Sequence, residues 1–198
     1  MRPSNVVLKI VVWIAALSPQ AWLMVCAATG TLGPSPEEKL ASTTGLAALW
    51  LLAATLSLTP LRRLSSRLSG LMGLRRLLGL FAFYYASLHL LLYLALFLRF
   101  NPAALIADFS RRSYILAGIF SWSLLVLLAA TSTQAAIRRL GGRNWKRLHK
   151  LIYLAAAGAV LHFWWKAGDL APLPLTLLLL ALMAARLVRK RKPQPESR

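Results

Sequence analysis

Residues Leu77–Phe100 read LLGLFAFYYASLHLLLYLALFLRF, and before Arg99 this run holds one histidine and no lysine, arginine, aspartate or glutamate. At a rise of about 1.5 Å per residue a helix of this length covers a hydrocarbon core about 30 Å thick. Backbone groups in lipid must be satisfied within the segment, so the run predicts a transmembrane helix. Its histidine, His89, is an ionisable ring placed at membrane depth, which is costly and marks a functional position.

Five further apolar segments flank this one: Val6 to Ala28, Thr43 to Leu58, Tyr114 to Thr131, Leu148 to Trp165 and Leu173 to Val188. The breaks carry turn chemistry, with Gly33-Pro34, Thr59-Pro60, Asn101-Pro102, Gly141-Gly142 and Pro172 with Pro174. The expected fold is all-α and integral to the membrane, a six-helix transmembrane bundle over residues 1–188 followed by a basic tail at 189–198. No internal repeat is evident.

Composition agrees, since 58% of the chain is apolar and 15% is charged, too little polar surface for a soluble domain of this size. The net charge of +19 sits in clusters between apolar runs without aromatic residues arrayed for base stacking, which argues against nucleic acid. Orientation explains it better. Arg2, Lys9, Arg62, Arg63, Arg67, Arg75, Arg76, the group from Arg138 to Lys150 and the group from Arg186 to Arg198 fall on one face and carry 19 of the 24 basic residues. Short cytoplasmic loops retain positive charge, so both termini are expected in the cytoplasm. The one cysteine, Cys26, excludes an internal disulfide and a Cys-based metal site, and reads as an apolar packer in a retained first span.

All three histidines fall on the third and fifth spans, as His89, His149 and His162. His89 lies 13 residues after Arg76 and His162 lies 12 after Lys150, on helices that cross in the same direction. Both rings are therefore expected at one depth in the outer half of the bilayer, facing each other. Ala155, Gly158 and Ala159 share the face of His162, and Ala82, Tyr85, Ala86 and Tyr93 share that of His89. Small residues beside two facing imidazoles suit a flat ligand, although they also permit close helix packing. Zinc would want a third or fourth ligand at that depth, whereas two axial histidines complete the iron of a porphyrin. Haem ligation by His89 and His162 is the expectation, with a hydrogen-bonded pair or a proton relay as the alternative. His149, about 20 Å lower among Arg147 and Lys150, is read either as an interfacial side chain or as part of a second haem, flavin or quinone site.

Several motifs give the chain a resemblance: Thr43-Thr44-Gly45 through Leu58-Thr59-Pro60, Arg75-Arg76-Leu77-Leu78-Gly79-Leu80, Ser87-Leu88-His89-Leu90, Thr131-Ser132-Thr133-Gln134, Leu140-Gly141-Gly142-Arg143-Asn144-Trp145 with Leu148-His149-Lys150-Leu151, and His162-Phe163-Trp164. Over almost its whole length the sequence resembles the haem-binding membrane subunits of the bacterial periplasmic methionine sulfoxide reductase system, the MsrQ or YedZ type, within the ferric-reductase-like transmembrane superfamily. The resemblance implies haem b, with the family's three histidines falling on His89, His149 and His162, and flavin mononucleotide (FMN) as a second cofactor. It also implies a place in the bacterial inner membrane and electron delivery from the quinone pool, or a cytoplasmic flavin donor, to a periplasmic molybdenum-containing (molybdopterin) catalytic subunit. Members of the wider superfamily carry two histidine pairs and a cytosolic flavin and nicotinamide domain. Here arginine stands where the inner partner would be, and no Gly-rich dinucleotide fingerprint follows a strand, which argues against direct NADPH oxidation. A stand-alone transmembrane ferric or quinone reductase is the alternative, and a non-redox channel or scaffold is disfavoured by the scarcity of polar residues along the spans.

Overall fold

The computed structural model describes residues 3–64 and 66–187. The tail at 189–198, with its cluster of basic residues, lies outside the described residues. Eight α-helices follow one another with no strand among the described residues: α1 (Pro3–Ala28), α2 (Pro36–Leu64), α3 (Arg75–Leu92), α4 (Pro102–Arg111), α5 (Ser113–Ala130), α6 (Gln134–Leu148), α7 (Leu151–Ala167) and α8 (Leu173–Leu187). Segments Val6–Ala28, Pro36–Arg63, Gly70–Phe97 and Ser113–Ala130 are long and apolar enough to cross a membrane, and Leu151–Ala167 and Leu173–Leu182 are shorter apolar helices.

The packing is that of a protein dissolved in lipid. Val7, Met24, Ile106 and Leu180 lie on the outside with more than half of their surface exposed, an arrangement that water would penalise. Inside, Leu52 and Leu56 of α2 pack with Ala82 of α3, Leu125 of α5, Ala155 and Ala156 of α7 and Leu179 of α8. Lipid tails are as apolar as these side chains, so close van der Waals fit and a few interhelical hydrogen bonds hold the helices together. Tyr85 on α3 donates to the carbonyl of Ala16 on α1 at 2.7 Å, Trp122 on α5 to Ser87 Oγ on α3 at 3.0 Å, and Trp164 on α7 to Thr176 Oγ1 on α8 at 2.7 Å. α3 leans chiefly on α2, and α7 chiefly on α5.

Three connections differ from the sequence expectation. The second span runs straight through Thr59-Pro60 to Leu64, because Pro60 falls in the last turns of α2, where one lost backbone donor does not end the helix. The outer connection folds as α4, started by Asn101, whose side-chain oxygen accepts from the N–H of Ala103 and Ala104, with Pro102 at the first helical position. The Gly141-Gly142 break is a kink within α6, where Gly141 takes φ +73° between two helical pieces.

Candidate functional site

The third span places His89 three residues before the end of α3, after which Tyr93–Phe97 relaxes into a π-helical turn. Such turns widen a helix locally and recur at functional sites. Across the bundle α7 carries His162. The two ring centroids are 6.1 Å apart with the planes at 80°, so the pair expected at one depth is brought together.

Each ring is fixed by a helix other than its own. His89 Nδ1 donates to the carbonyl of Ala41 on α2 at 2.8 Å, and His162 Nδ1 donates to the carbonyl of Tyr114 on α5 at 2.7 Å. A carbonyl accepts only, so Nδ1 carries the proton and Nε2 presents its lone pair, the arrangement a metal-ligating histidine needs. A bond of about 2 Å from metal to imidazole nitrogen, plus roughly 1.1 Å from that nitrogen to the ring centre, doubles to about 6 Å for two rings on opposite sides of one ion. The observed separation leaves room for one ion that His89 and His162 would hold between them. Among the described residues no group of three or more His, Cys, Asp or Glu is gathered to hold a bare metal ion. The donor set suits an ion whose remaining ligands come with it, as in haem.

The walls of the site are bare at two points. A Cβ added to Gly45 of α2 would lie 3.2 Å from both Nδ1 and Cε1 of His89, and one added to Gly118 of α5 would lie 2.8 Å from Nδ1 of His162. The alanines expected to line the gap are used otherwise in part: Ala82 and Ala155 are fully buried in helix packing, and Gly158 admits Ser121 of α5. Sequence reading missed Ala41, Gly45, Tyr114 and Gly118. The carbonyl acceptors are invisible in residue letters, but the glycines leave a trace, since each precedes its histidine by the same 44 positions.

Above the pair, Tyr93 stands one turn beyond His89 and donates to Asp108 Oδ2 of α4 at 2.7 Å, while Arg112 approaches the other oxygen of Asp108 at 3.7 Å. The ring of Tyr114 lies 5.7 Å from that of His162. These contacts tie α4 down as a roof beside the histidines.

His149 is elsewhere, at the junction between α6 and α7. Its ring lies against the Trp145 indole at 4.0 Å between centroids, its Nε2 is 3.3 Å from Thr131 Oγ1, and Trp145 Nε1 donates to the carbonyl of Thr131 at 2.8 Å. Burial, and to a smaller degree the positive charge of Arg75, hold its pKa below the ordinary histidine range, with Thr131 opposing. No second histidine faces it. The nearby cation Arg75 is the feature that the third span contributes at this level.

The family described as ferric reductase like transmembrane component matches residues 44–160, a stretch that contains both histidines' glycines and His89 but ends just before His162. Proteins named protein-methionine-sulfoxide reductase heme-binding subunit MsrQ are similar over most of the chain. That of Ralstonia nicotianae is 44% identical over 81% of this chain and 74% of its own length, and that of Herminiimonas arsenicoxydans is 42% identical over 84% and 76%. The protein of Xanthomonas campestris pv. campestris is 48% identical over 77% and 69%.

Proposed function

The chain belongs to the ferric reductase like transmembrane component family, in its MsrQ heme-binding-subunit branch, and from that premise we propose that it holds haem b between His89 and His162 and passes electrons through the bacterial inner membrane. The observation that carries this reading is the facing pair, 6.1 Å apart, with each Nδ1 engaged by a backbone carbonyl. Held by His89 and His162 together, the haem would supply one-electron transfer rather than oxygen chemistry. The protein's part is positional. Ala41 and Tyr114 fix the tautomers, Gly45 and Gly118 leave room for the rings, and the exposed apolar faces of the helices keep the site in a lipid medium.

The donor in this proposal is the quinone pool or a cytoplasmic flavin carrier, and the acceptor is a periplasmic molybdenum-dependent reductase of protein methionine sulfoxide. The name shared by the relatives supports a methionine sulfoxide reductase as the acceptor. One carrier in the outer half of a core about 30 Å thick leaves a gap below it. The region of His149, Arg75 and Arg147 fills this gap in the proposal, offering an imidazole and cations to a second haem, the phosphate of FMN or a quinone oxygen. Six crossings, over the four long spans and the two shorter apolar helices, with both termini in the cytoplasm, complete it.

The deciding experiment is an absorption spectrum of the purified protein, oxidised and dithionite-reduced. Reduced b-type bands are expected, together with oxidation of the reduced protein on adding a molybdenum-dependent methionine sulfoxide reductase and its substrate. A colourless protein overturns haem binding. Reduction of ferric chelates at full rate without any periplasmic partner would replace the subunit reading by that of a stand-alone reductase.

A further inference from the structure

Around the two histidines the chain uses one device twice. In the first copy α2 presents a carbonyl at Ala41, a bare backbone at Gly45 one turn later, and α3 returns His89 against both. In the second, α5 presents a carbonyl at Tyr114 and a bare backbone at Gly118, and α7 returns His162. Every member of the second copy stands 73 positions after its counterpart, 41 with 114, 45 with 118 and 89 with 162. Neither glycine is needed for its own backbone, because both sit in ordinary helical conformation within α2 and α5. What each provides is the absence of a Cβ beside an imidazole.

We infer that Gly45 and Gly118 are positioning residues that set the rotation and the hydrogen bond of the two axial imidazoles, and through them the redox potential and the ligand field of the bound haem. This rests on the haem reading above. An imidazole that donates from Nδ1 is a stronger ligand than one that does not, and loss of such an outer hydrogen bond typically costs about 10–100-fold in metal affinity. A methyl group at position 118 would stand 2.8 Å from Nδ1 and 3.0 Å from Cε1 of His162, closer than side-chain carbons come without movement. The ring must turn or withdraw, and the bond to Tyr114 lengthens. At position 45 the approach is 3.2 Å, so His89 gives way by less. What separates this from helix packing in general is the repeated imidazole partner at the same spacing, since the packing glycines Gly79 and Gly158 meet Thr55 and Ser121 instead and Gly142 meets nothing within 4 Å.

The test compares Gly118→Ala, Gly45→Ala and the control Gly142→Ala in the full chain. Haem content per protein, the low-spin electron paramagnetic resonance spectrum and the midpoint potential from a redox titration are read beside membrane insertion. The expected result is a displaced low-spin signal and a shifted potential in both test variants, with haem affinity down about tenfold or more for Gly118→Ala and less for Gly45→Ala. The control should match the parent. Where Gly118→Ala does not insert, Gly45→Ala decides alone, because its contacts of 3.2 Å can be relieved by a small ring movement. Spectra and potentials equal to the parent's overturn the inference while the haem reading stands. A parent protein without haem bands overturns both.

Discussion

Replacing either His89 or His162 by alanine takes away one of two imidazoles and leaves the other with its Nδ1 still held by a carbonyl 2.7–2.8 Å away. A single axial ligand retains haem weakly, so the expected outcome is a loss of about tenfold or more in haem affinity for each variant, read by titrating haem into apoprotein. An unchanged low-spin spectrum in both, with normal membrane insertion, removes these residues from the ligand set. His149→Ala should behave differently, keeping the outer spectrum but slowing reduction by the physiological donor in stopped-flow experiments; an unaltered rate returns His149 to an interfacial role. The ring of His149 also carries a pH dependence. Its folded pKa lies below its unfolded value of about 6.5, first because of burial. Its neutral form therefore favours the fold above about pH 6.5, and that contribution is lost as pH falls through the folded pKa. Thermal melts from pH 7 to pH 5 should show a steeper fall for the parent than for His149→Gln.

What could be read at this scale was the identity and level of the histidines, since a lone ionisable ring in an apolar run stands out and helical rise gives its depth. The second half of the site could not be read. A backbone carbonyl accepts identically whatever side chain its residue bears, so Ala41 and Tyr114 gave no sign, and a helical glycine usually means only close packing.

The long apolar helices were legible because lipid demands a length and composition that few other segments meet. α4 and α6 were not. Each alternates apolar and polar residues between turn signals and so reads as a connection, yet interfacial helices have this very pattern, with one face toward the acyl boundary and the other toward headgroups. In α6 the two pieces meet at Gly141 with φ +73°, where a side chain would be strained. Gly141→Ala should destabilise the protein by about 1–3 kcal/mol, measurable as a lowered melting temperature in detergent, with Gly142→Ala milder; equal melting of parent and Gly141→Ala would show that the kink is not fixed. Arg111 ends α4 and Arg112 caps it, and Arg112 also approaches Asp108. Reversing both charges should slow electron delivery to an acidic periplasmic partner while the haem bands persist. Rates that match the parent at low ionic strength, where steering is strongest, would leave these arginines as headgroup anchors.

At the scale of the whole molecule the helices and the charges constrain each other. The segments α1, α2, α3 with its π-helical turn, α5, α7 and α8 carry basic residues in an alternating pattern: Arg62 and Arg63 end α2 and Arg75 and Arg76 begin α3, Arg138 to Lys150 lie between α5 and α7, and Lys39, Arg99, Arg111, Arg112 and Lys166 stand at the alternate ends and connections. His89 and His162 then belong near the side of α4, to which Tyr93 is bonded through Asp108, and His149 near the side of α6, where it packs on Trp145. The proposed six crossings put α4 in the periplasm and both termini in the cytoplasm, the orientation that the bias of Lys and Arg over short loops favours over its inverse. Alkaline phosphatase, active only outside the cytoplasm, fused after Phe109 should be active, and fused after Arg143 or at the end of the chain should be silent, with a fluorescent reporter giving the reverse pattern. Phosphatase activity at the chain's end together with activity after Phe109 would mean that α7 and α8 do not both cross. The electron path would then need a different inner face, because the cations around His149 would no longer share a side with the cytoplasmic donors.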